Sequence, residues 1–351
     1  LKYGIAVAGA HGKTTTTWLI SYVTQQGGLD PTMVIGGKLA SLGSNARLGQ
    51  GEFLVAEADE SDGSFLRLSP TIAVVTNIDA EHLYFYEDID AIKKVFLDFI
   101  NKIPFYGVSV LCLDNSRIQE IIPDVEKRFI TYGLSSQADV QAREVRFTGL
   151  TSCFQIVHQG IPLGEVCLNL PGLHNVYNAM ASIVVALELG IPFKKTAEAL
   201  HRIEGVQRRM EVKGTRDDII VVDDYGHHPT EIKMTLEAVR HSWPERRLVV
   251  VFQPHRYSRT AALFEEFTRS FYQADDLIVL PIYAAGEQPV ENISNESLYE
   301  GIRRHGHRQV TFHDGHASAL AYLQKNTRTG DIVLTLGAGD VWKVGEGFLG
   351  A

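Results

Sequence analysis

A short apolar run, Tyr3 to Ala8, leads straight into Gly9-Ala10-His11-Gly12-Lys13-Thr14-Thr15, and a helical pattern then runs from Thr14 to Gln26, closed by Gly27-Gly28. A buried strand that empties through glycines into a helix is the opening unit of a layered α/β domain. The same arrangement suits an anion. Backbone N–H groups and the positive end of the helix point at it, the lysine reaches terminal phosphates, and the hydroxyl ligates magnesium. The spacing is short: two residues separate Gly9 from Gly12 where the usual loop has four, and Val7 stands where its first glycine would fall. A plain glycine-rich turn with a surface lysine is the competing reading. It leaves the coincidence of strand, lysine and hydroxyls unexplained.

The rest of the chain keeps the alternation. Phe53–Ala56, Ile72–Thr76 and Val108–Leu113 read as buried strands and Asp90–Ile100 as a helix, which predicts a parallel, doubly wound sheet. Glu144–Phe147, Cys153–His158 and Glu165–Leu170 read as an antiparallel meander at its edge, followed by helices over His174–Leu189 and Lys194–Ile203. A fresh block begins near Gly214. Its strands are Ile219–Asp223, Leu248–Phe252, Leu277–Ile282, Val310–His313 and Ile332–Leu336, and its helices are Thr230–His241, Arg259–Tyr272, Glu296–Arg304 and Ala317–Lys325. A length of 351 residues suits two domains, and we expect them to be residues 1–206 and 207–351. A net charge of −9 argues against nucleic acid or an anionic membrane as main partner. No apolar run approaches the roughly 20 residues of a membrane span. The three cysteines, Cys112, Cys153 and Cys167, form no Cys-x-x-Cys pair and read as buried reduced thiols. These features place the chain in the cytoplasm.

Polar groups gather at the predicted strand ends. Glu57-Ala58-Asp59-Glu60-Ser61-Asp62 follows one strand, and Glu57, nearest its end, is the best magnesium ligand of the four acids, the others being candidates for a solvated loop. Thr76-Asn77-Ile78-Asp79-Ala80-Glu81-His82 leaves the next strand and offers His82 as a second ligand. His174-Asn175-Val176-Tyr177-Asn178 opens a helix. Its amides suit a base edge, since each donates and accepts, although one of them could equally cap the helix. Arg208-Arg209, Asp223-Asp224-Tyr225-Gly226-His227-His228-Pro229 and Gln253-Pro254-His255-Arg256-Tyr257-Ser258-Arg259 mass cations at strand ends of the second block. Together they predict a crevice for a carboxylate-bearing substrate.

In these elements the chain resembles the Mur ligases, ATP-dependent amide-forming enzymes that assemble the peptidoglycan precursor stem. The shortened loop Gly9 to Thr14, the His-Asn-x-x-Asn element at His174–Asn178 and the junction arginine Arg209 carry the likeness, which covers essentially the whole chain. The segments at 57–62, 223–229 and 252–260 look like those of the members that act on UDP-N-acetylmuramate and L-alanine; members that recycle the murein tripeptide rank second. The resemblance implies a P-loop domain with a mostly parallel sheet and antiparallel edge strands, followed by a Rossmann-like α/β domain. It implies ATP and Mg2+ as cofactors, and phosphorylation of the lactyl carboxylate of UDP-N-acetylmuramate to an acyl phosphate that L-alanine attacks.

Residue by residue, the resemblance puts Gly9, Ala10, His11, Gly12, Lys13, Thr14 and Thr15 on the phosphates, with Lys13 at the β/γ pair. Thr14 and Glu57 would hold one magnesium and His82 a second ion. Asn175 and Asn178 would read adenine, Asp224 the ribose, and Arg209 the phosphates. His227, Arg256 and Arg259 would bind alanine and the muramoyl carboxylate. The family tends to carry an aspartate where this chain has Tyr84. It also carries a UDP-binding domain ahead of the phosphate loop, which here begins a few residues into the sequence. The expectation is therefore a chain that binds ATP and turns over as part of a longer parent, with closure of its two domains on binding. The rivals are a phosphotransferase using the same loop and a nucleotide-binding fragment without turnover.

Overall fold

The structure, a computed structural model, describes residues 3–36, 45–80, 85–203 and 208–350. It divides into two compact units, Leu1–Val206 and Gln207–Ala351.

The first unit is built on strands β1 (Tyr3–Ala8), β2 (Thr32–Val34), β3 (Ala46–Arg47), β4 (Phe53–Glu57), β5 (Ile72–Val75), β6 (Val108–Cys112), β7 (Phe129–Gly133), β8 (Val140–Thr148), β9 (Thr151–His158) and β10 (Ile161–Leu168). They form one sheet in the order β10-β9-β8-β7-β6-β5-β1-β4-β2-β3. From β2 to β8 the neighbours are parallel, and β8, β9 and β10 continue as an antiparallel meander. Ile5, Val7, Val55, Val74, Val75 and Val110 are buried in the central strands, as parallel strands covered on both faces require. The chain leaves β1 toward β2 and β4 on one side and then crosses to β5 on the other. The C-terminal end of β1 is thus the place where strand order reverses, and crevices for ligands open there.

Helix α1 (Lys13–Gln26) follows β1; α2 (Ile89–Asn101), α3 (Ser116–Ile121), α4 (Leu173–Glu188) and α5 (Phe193–His201) complete the unit. Helix α1 is buried along most of its length although five of its residues are threonine and one is serine. Its hydroxyls solve this locally: Thr17 donates to the carbonyl of Lys13, Ser21 to that of Thr17 and Thr24 to that of Ile20. A threonine-rich sequence can therefore sit in a core without stranding polar groups.

The cysteines are not all the reduced thiols that their spacing suggested. Cys153 and Cys167 face each other directly across β9 and β10, with Cα atoms 4.1 Å apart, and are joined as a disulfide. Adjacent antiparallel strands bring two residues into this register without any motif in the sequence, so the spacing could not reveal it. Cys112 is buried and free, and burial pushes its thiol up to about 12.

The second unit contains β11 (Glu211–Arg216), β12 (Ile219–Asp224), β13 (Leu248–Phe252), β14 (Asp276–Val279), β15 (Val310–Phe312) and β16 (Ile332–Leu336) in the order β11-β12-β16-β13-β14-β15. All pairs are parallel except β11 with β12. Leu248, Val250 and Phe252 point into one layer and Val249 and Val251 into the other, each layer closed by helices. Those helices are α6 (Pro229–Ser242), α7 (Tyr257–Ala262), α8 (Phe264–Thr268), α9 (Asn295–Arg304), α10 (His316–Asn326) and α11 (Trp342–Gly350). The helix expected over Arg259–Tyr272 is two short ones meeting at Leu263, whose φ of −115° leaves the helical region. Among the described residues, no helix is long and apolar enough to cross a membrane.

Candidate active site

The phosphate loop is held by its neighbour strand rather than by itself. Gly9 has φ 139° and Gly12, the N-cap of α1, has φ 81°, both in the region that favours glycine. A Cβ on Gly9 would stand 2.1 Å from Thr76 Oγ1, and one on Gly12 would stand 2.5 Å from Asn178 Oδ1. Thr76 Oγ1 and Asn77 Nδ2 donate to the carbonyl of His11 at 2.7 and 2.9 Å, and the His11 N–H donates to Asn77 Oδ1 at 2.8 Å. His11 Nε2 lies 3.1 Å from Asp79 Oδ2, and Arg117 of α3 pairs with the other oxygen of Asp79. Burial would raise the carboxyl of Asp79, but His11 and Arg117 hold it well below the usual carboxylate range. The residues after β5, read in the sequence only as a lead to His82, are thus the scaffold of the loop. His82 lies outside the described residues, as does Tyr84.

Next to the loop the structure brings Thr14 and Glu57 together. Thr14, in the first turn of α1, donates to Glu57 Oε1 at 3.0 Å, and Glu57 ends β4, the strand paired with β1. The N–H of Gly36 donates to Glu57 Oε2 at 2.8 Å, which fixes the carboxylate. A hydroxyl beside a carboxylate is the oxygen donor set that a hard divalent cation takes, so these residues fit magnesium. Asn175 and Asn178 are buried on α4. Asn175 donates to the carbonyl of Pro171 at 2.8 Å, Asn178 to Asn175 Oδ1 at 3.2 Å, and Asn178 Oδ1 accepts from Thr16 of α1 at 3.0 Å.

In the second unit β12, β16 and β13 are neighbours, so the loops leaving their C-terminal ends converge. Asp223 accepts from Arg208 at 2.8 Å and from Thr335 at 2.6 Å. Asp224 accepts from the N–H groups of Met210 and Gly226, both at 2.8 Å, and from Thr235 at 3.0 Å. Burial raises both carboxyls, against the pull of Arg208 on one and Arg209 on the other. Three donors on Asp224 build the turn that carries His227. Glu231 closes that turn by accepting from the N–H groups of His227 and His228 in a capping box, with Pro229 at the first helical position. Arg208 is engaged with the carbonyls of Gly337 and Gly339, while Arg209 lies over the Tyr225 ring at 5.4 Å.

His227 Nδ1 is 3.1 Å from the carbonyl of Tyr225, so that nitrogen carries the proton of the neutral ring. Burial brings its pKa down to about 4, assisted by Arg259 and Arg209 and resisted by Glu231. His255 is also lowered to about 4, first by burial and then by Arg259 and Arg256. Its ring stacks on Tyr283, with centroids 5.5 Å apart, and lies near His227. Arg259 Nη1 sits 3.4 Å from His255 Nδ1, and Arg256 is exposed with φ 71°. Two neutral imidazoles beside two guanidiniums make a cationic rim that attracts carboxylates at neutral pH.

The lowered His227 predicts an acid sensitivity. The unfolded ring takes a proton below about 6.5 while the folded one resists until about 4, so stability is complete above 6.5 and falls as pH drops toward 4. The His227 share is about 3 kcal/mol. Urea midpoints of wild type and His227→Gln at pH 7 and pH 5 check it: the wild type is expected to lose more. Equal losses refute the assignment.

Four contributors were not singled out in the sequence. Glu60 is paired with Lys13 at 2.8 Å, Asp79 and Arg117 support the loop, and Gly337-Ala338-Gly339-Asp340 leaves β16 between the two motif loops, tied to Gln253 at 2.9 Å. The glycine-rich run after a predicted strand was the available signal for the last.

A phosphate loop at the switch point of one parallel sheet, with a cationic strand-end rim on another, defines a nucleotide-dependent α/β enzyme. The chain belongs to the Mur ligase family: residues 7–186 match the Mur ligase middle domain, and residues 208–339 match the Mur ligase, glutamate ligase domain. It is 60% identical to the UDP-N-acetylmuramate–L-alanine ligase of Desulfatibacillum aliphaticivorans, over 99% of this chain and 76% of that protein. The enzyme of the same name from Geotalea uraniireducens is 60% identical over 99% and 75%. Among solved structures, the UDP-N-acetylmuramate–alanine ligase of Thermotoga maritima superposes with a TM-score of 0.82 at 25% identity, covering 99% of this chain and 75% of that one.

Proposed function

We propose that the chain catalyses the cytoplasmic, ATP-dependent joining of L-alanine to the lactyl carboxylate of UDP-N-acetylmuramate, with release of ADP and phosphate. The observation that carries this reading is the Thr14–Glu57 pair, 3.0 Å apart, beside the lysine of a phosphate loop. A carboxylate does not condense with an amine unaided, because its oxygen is a poor leaving group. Transfer of the terminal phosphoryl group to the carboxylate gives an acyl phosphate. The amine then attacks its carbonyl carbon, and the tetrahedral adduct expels phosphate.

Residues of the first unit act on the phosphates. Lys13 and the backbone N–H groups from Gly9 to Thr15 balance charge at the transferring group, where positioning and electrostatics supply most of the rate. Thr14 and Glu57 would hold magnesium, with His82 assigned a second ion; the metal supplies further charge neutralisation when bound. Asn175 and Asn178 each donate one bond within the protein, and we assign the second hydrogen of each amide to adenine. In the second unit Arg209 is assigned to phosphate charge, and Arg256 and Arg259 to carboxylates. His227, neutral at physiological pH, faces the amine without repelling its ammonium form. Asp224 holds the turn beneath it and is assigned to the ribose.

The test is phosphate release by the purified protein with ATP, magnesium and UDP-N-acetylmuramate, with and without L-alanine. We expect release that depends on L-alanine. Transfer of phosphate to substrate with none set free would point to a phosphotransferase, and ATP binding without turnover would point to a nucleotide-binding role.

A further inference from the structure

The acidic stretch after β4 does not behave as one group. Asp59 and Asp62 are exposed, whereas Glu60 turns inward and is 3% exposed. Its Oε1 accepts from Lys13 Nζ at 2.8 Å, and the same ammonium donates to the carbonyls of Gly9 and Ala10 at 2.6 and 3.2 Å. The ammonium is therefore folded into the mouth of the phosphate loop with a carboxylate against it. The backbone of Glu60 is anchored from the opposite side: its carbonyl accepts from the hydroxyl of buried Tyr86 and, at 3.2 Å, from the N–H of Gly63. Burial and the charge of Glu60 push the Tyr86 phenol up to about 12, so it remains a donor across the working range. A carboxylate placed this firmly is part of the lysine's environment and not a solvated loop residue.

Resting on the reading that this loop takes the nucleotide's phosphates, we propose that Glu60 is a positioning residue for Lys13: the resident anion that the phosphates displace from the ammonium. Two physical reasons support it. A half-buried ammonium beside a buried carboxylate needs a compensating charge while the loop is empty, and Glu60 supplies one. The same carboxylate then competes with phosphate oxygens for the lysine and repels them, which weakens nucleotide binding and favours release of ADP after turnover. Glu60 thus holds the lysine in place for the incoming nucleotide and keeps the product from staying.

Glu60→Gln removes the charge and keeps the shape. In the full 351-residue chain, ATP and ADP are expected to bind about threefold tighter or more. KM for ATP is expected to fall by a similar factor without a rise in kcat. Glu60→Asp, which keeps the charge but lengthens the contact to the ammonium, is expected to show a smaller gain of the same sign. It carries the test should the glutamine variant fail to fold. A residue that only supports the fold would weaken binding and raise KM when replaced. Nucleotide affinity unchanged or weaker in a folded variant, beside clear binding by the wild type, overturns this inference alone. A wild-type chain that binds no ATP overturns it together with the reading on which it rests.

Discussion

Replacing Lys13 by Met is expected to lower L-alanine-dependent phosphate release by about 10³-fold, the scale of removing a charge that stabilises a transferring phosphoryl group. The Lys13 side chain sits at the head of α1 and is 14% exposed, so what its ammonium touches is set largely by the loop. Methionine has similar length and no charge; it gives up the bonds to the carbonyls of Gly9 and Ala10, while Thr76 and Asn77 still hold the loop. The variant also strips Glu60 of its countercharge, which costs stability, so melting curves must accompany the kinetics. Lys13→Arg separates the two effects. It restores the charge and therefore the fold, but its planar fork cannot reproduce a point charge in the same space, so activity stays low. Single-turnover phosphate release at saturating ATP is the measurement. A Met variant within tenfold of wild type would remove Lys13 from the chemistry.

Glu57→Gln should be the second largest loss, about 10²-fold in kcat, with a raised magnesium requirement. The change is isosteric. Glutamine keeps one carbonyl oxygen to accept from the N–H of Gly36, and the Thr14 hydroxyl, which both donates and accepts, can turn to accept from the amide nitrogen in place of the second oxygen. What disappears is the negative charge, and with it most of the affinity for a hard cation. Titrating magnesium against rate at fixed ATP checks this. Half-saturation at the wild-type magnesium concentration would show that Glu57 is a structural partner of Thr14 only.

The layered fold was legible where periodicity and punctuation agree. Ile5–Ala8, Leu248–Phe252 and Ile332–Leu336 are apolar runs bounded by turn residues, and each is a central buried strand. Strand β7 was not, because Phe129–Gly133 follows a charged segment without a turn signal. Its place is set by Asp114, whose carboxylate accepts from the N–H groups of Leu134 and Ser135, a long-range contact that no local pattern contains. Helix α11 was missed because Gly345, Gly347 and Gly350 depress its propensity; packing of Val344 and Phe348 overrides them. The site divides in the same way. Glu57 could be read from its position after a strand, and it does lie against Thr14. Glu60 and Asp79 look like ordinary loop acids in sequence. Only burial and the reach of Lys13 and His11 single them out.

The clamp on the phosphate loop bears on how such a loop can be moved between proteins. Its shape is stored largely outside its own seven residues, in Thr76, Asn77 and Asp79 at the exit of the adjacent strand and in Arg117 beyond them. Grafted alone into another strand–helix junction, Gly9–Thr15 would arrive without its mould, and its two glycines would make it floppy where here they make it fit. The unit of inheritance is a pair of neighbouring strand exits. A designer wishing to transplant this compact loop would have to carry both.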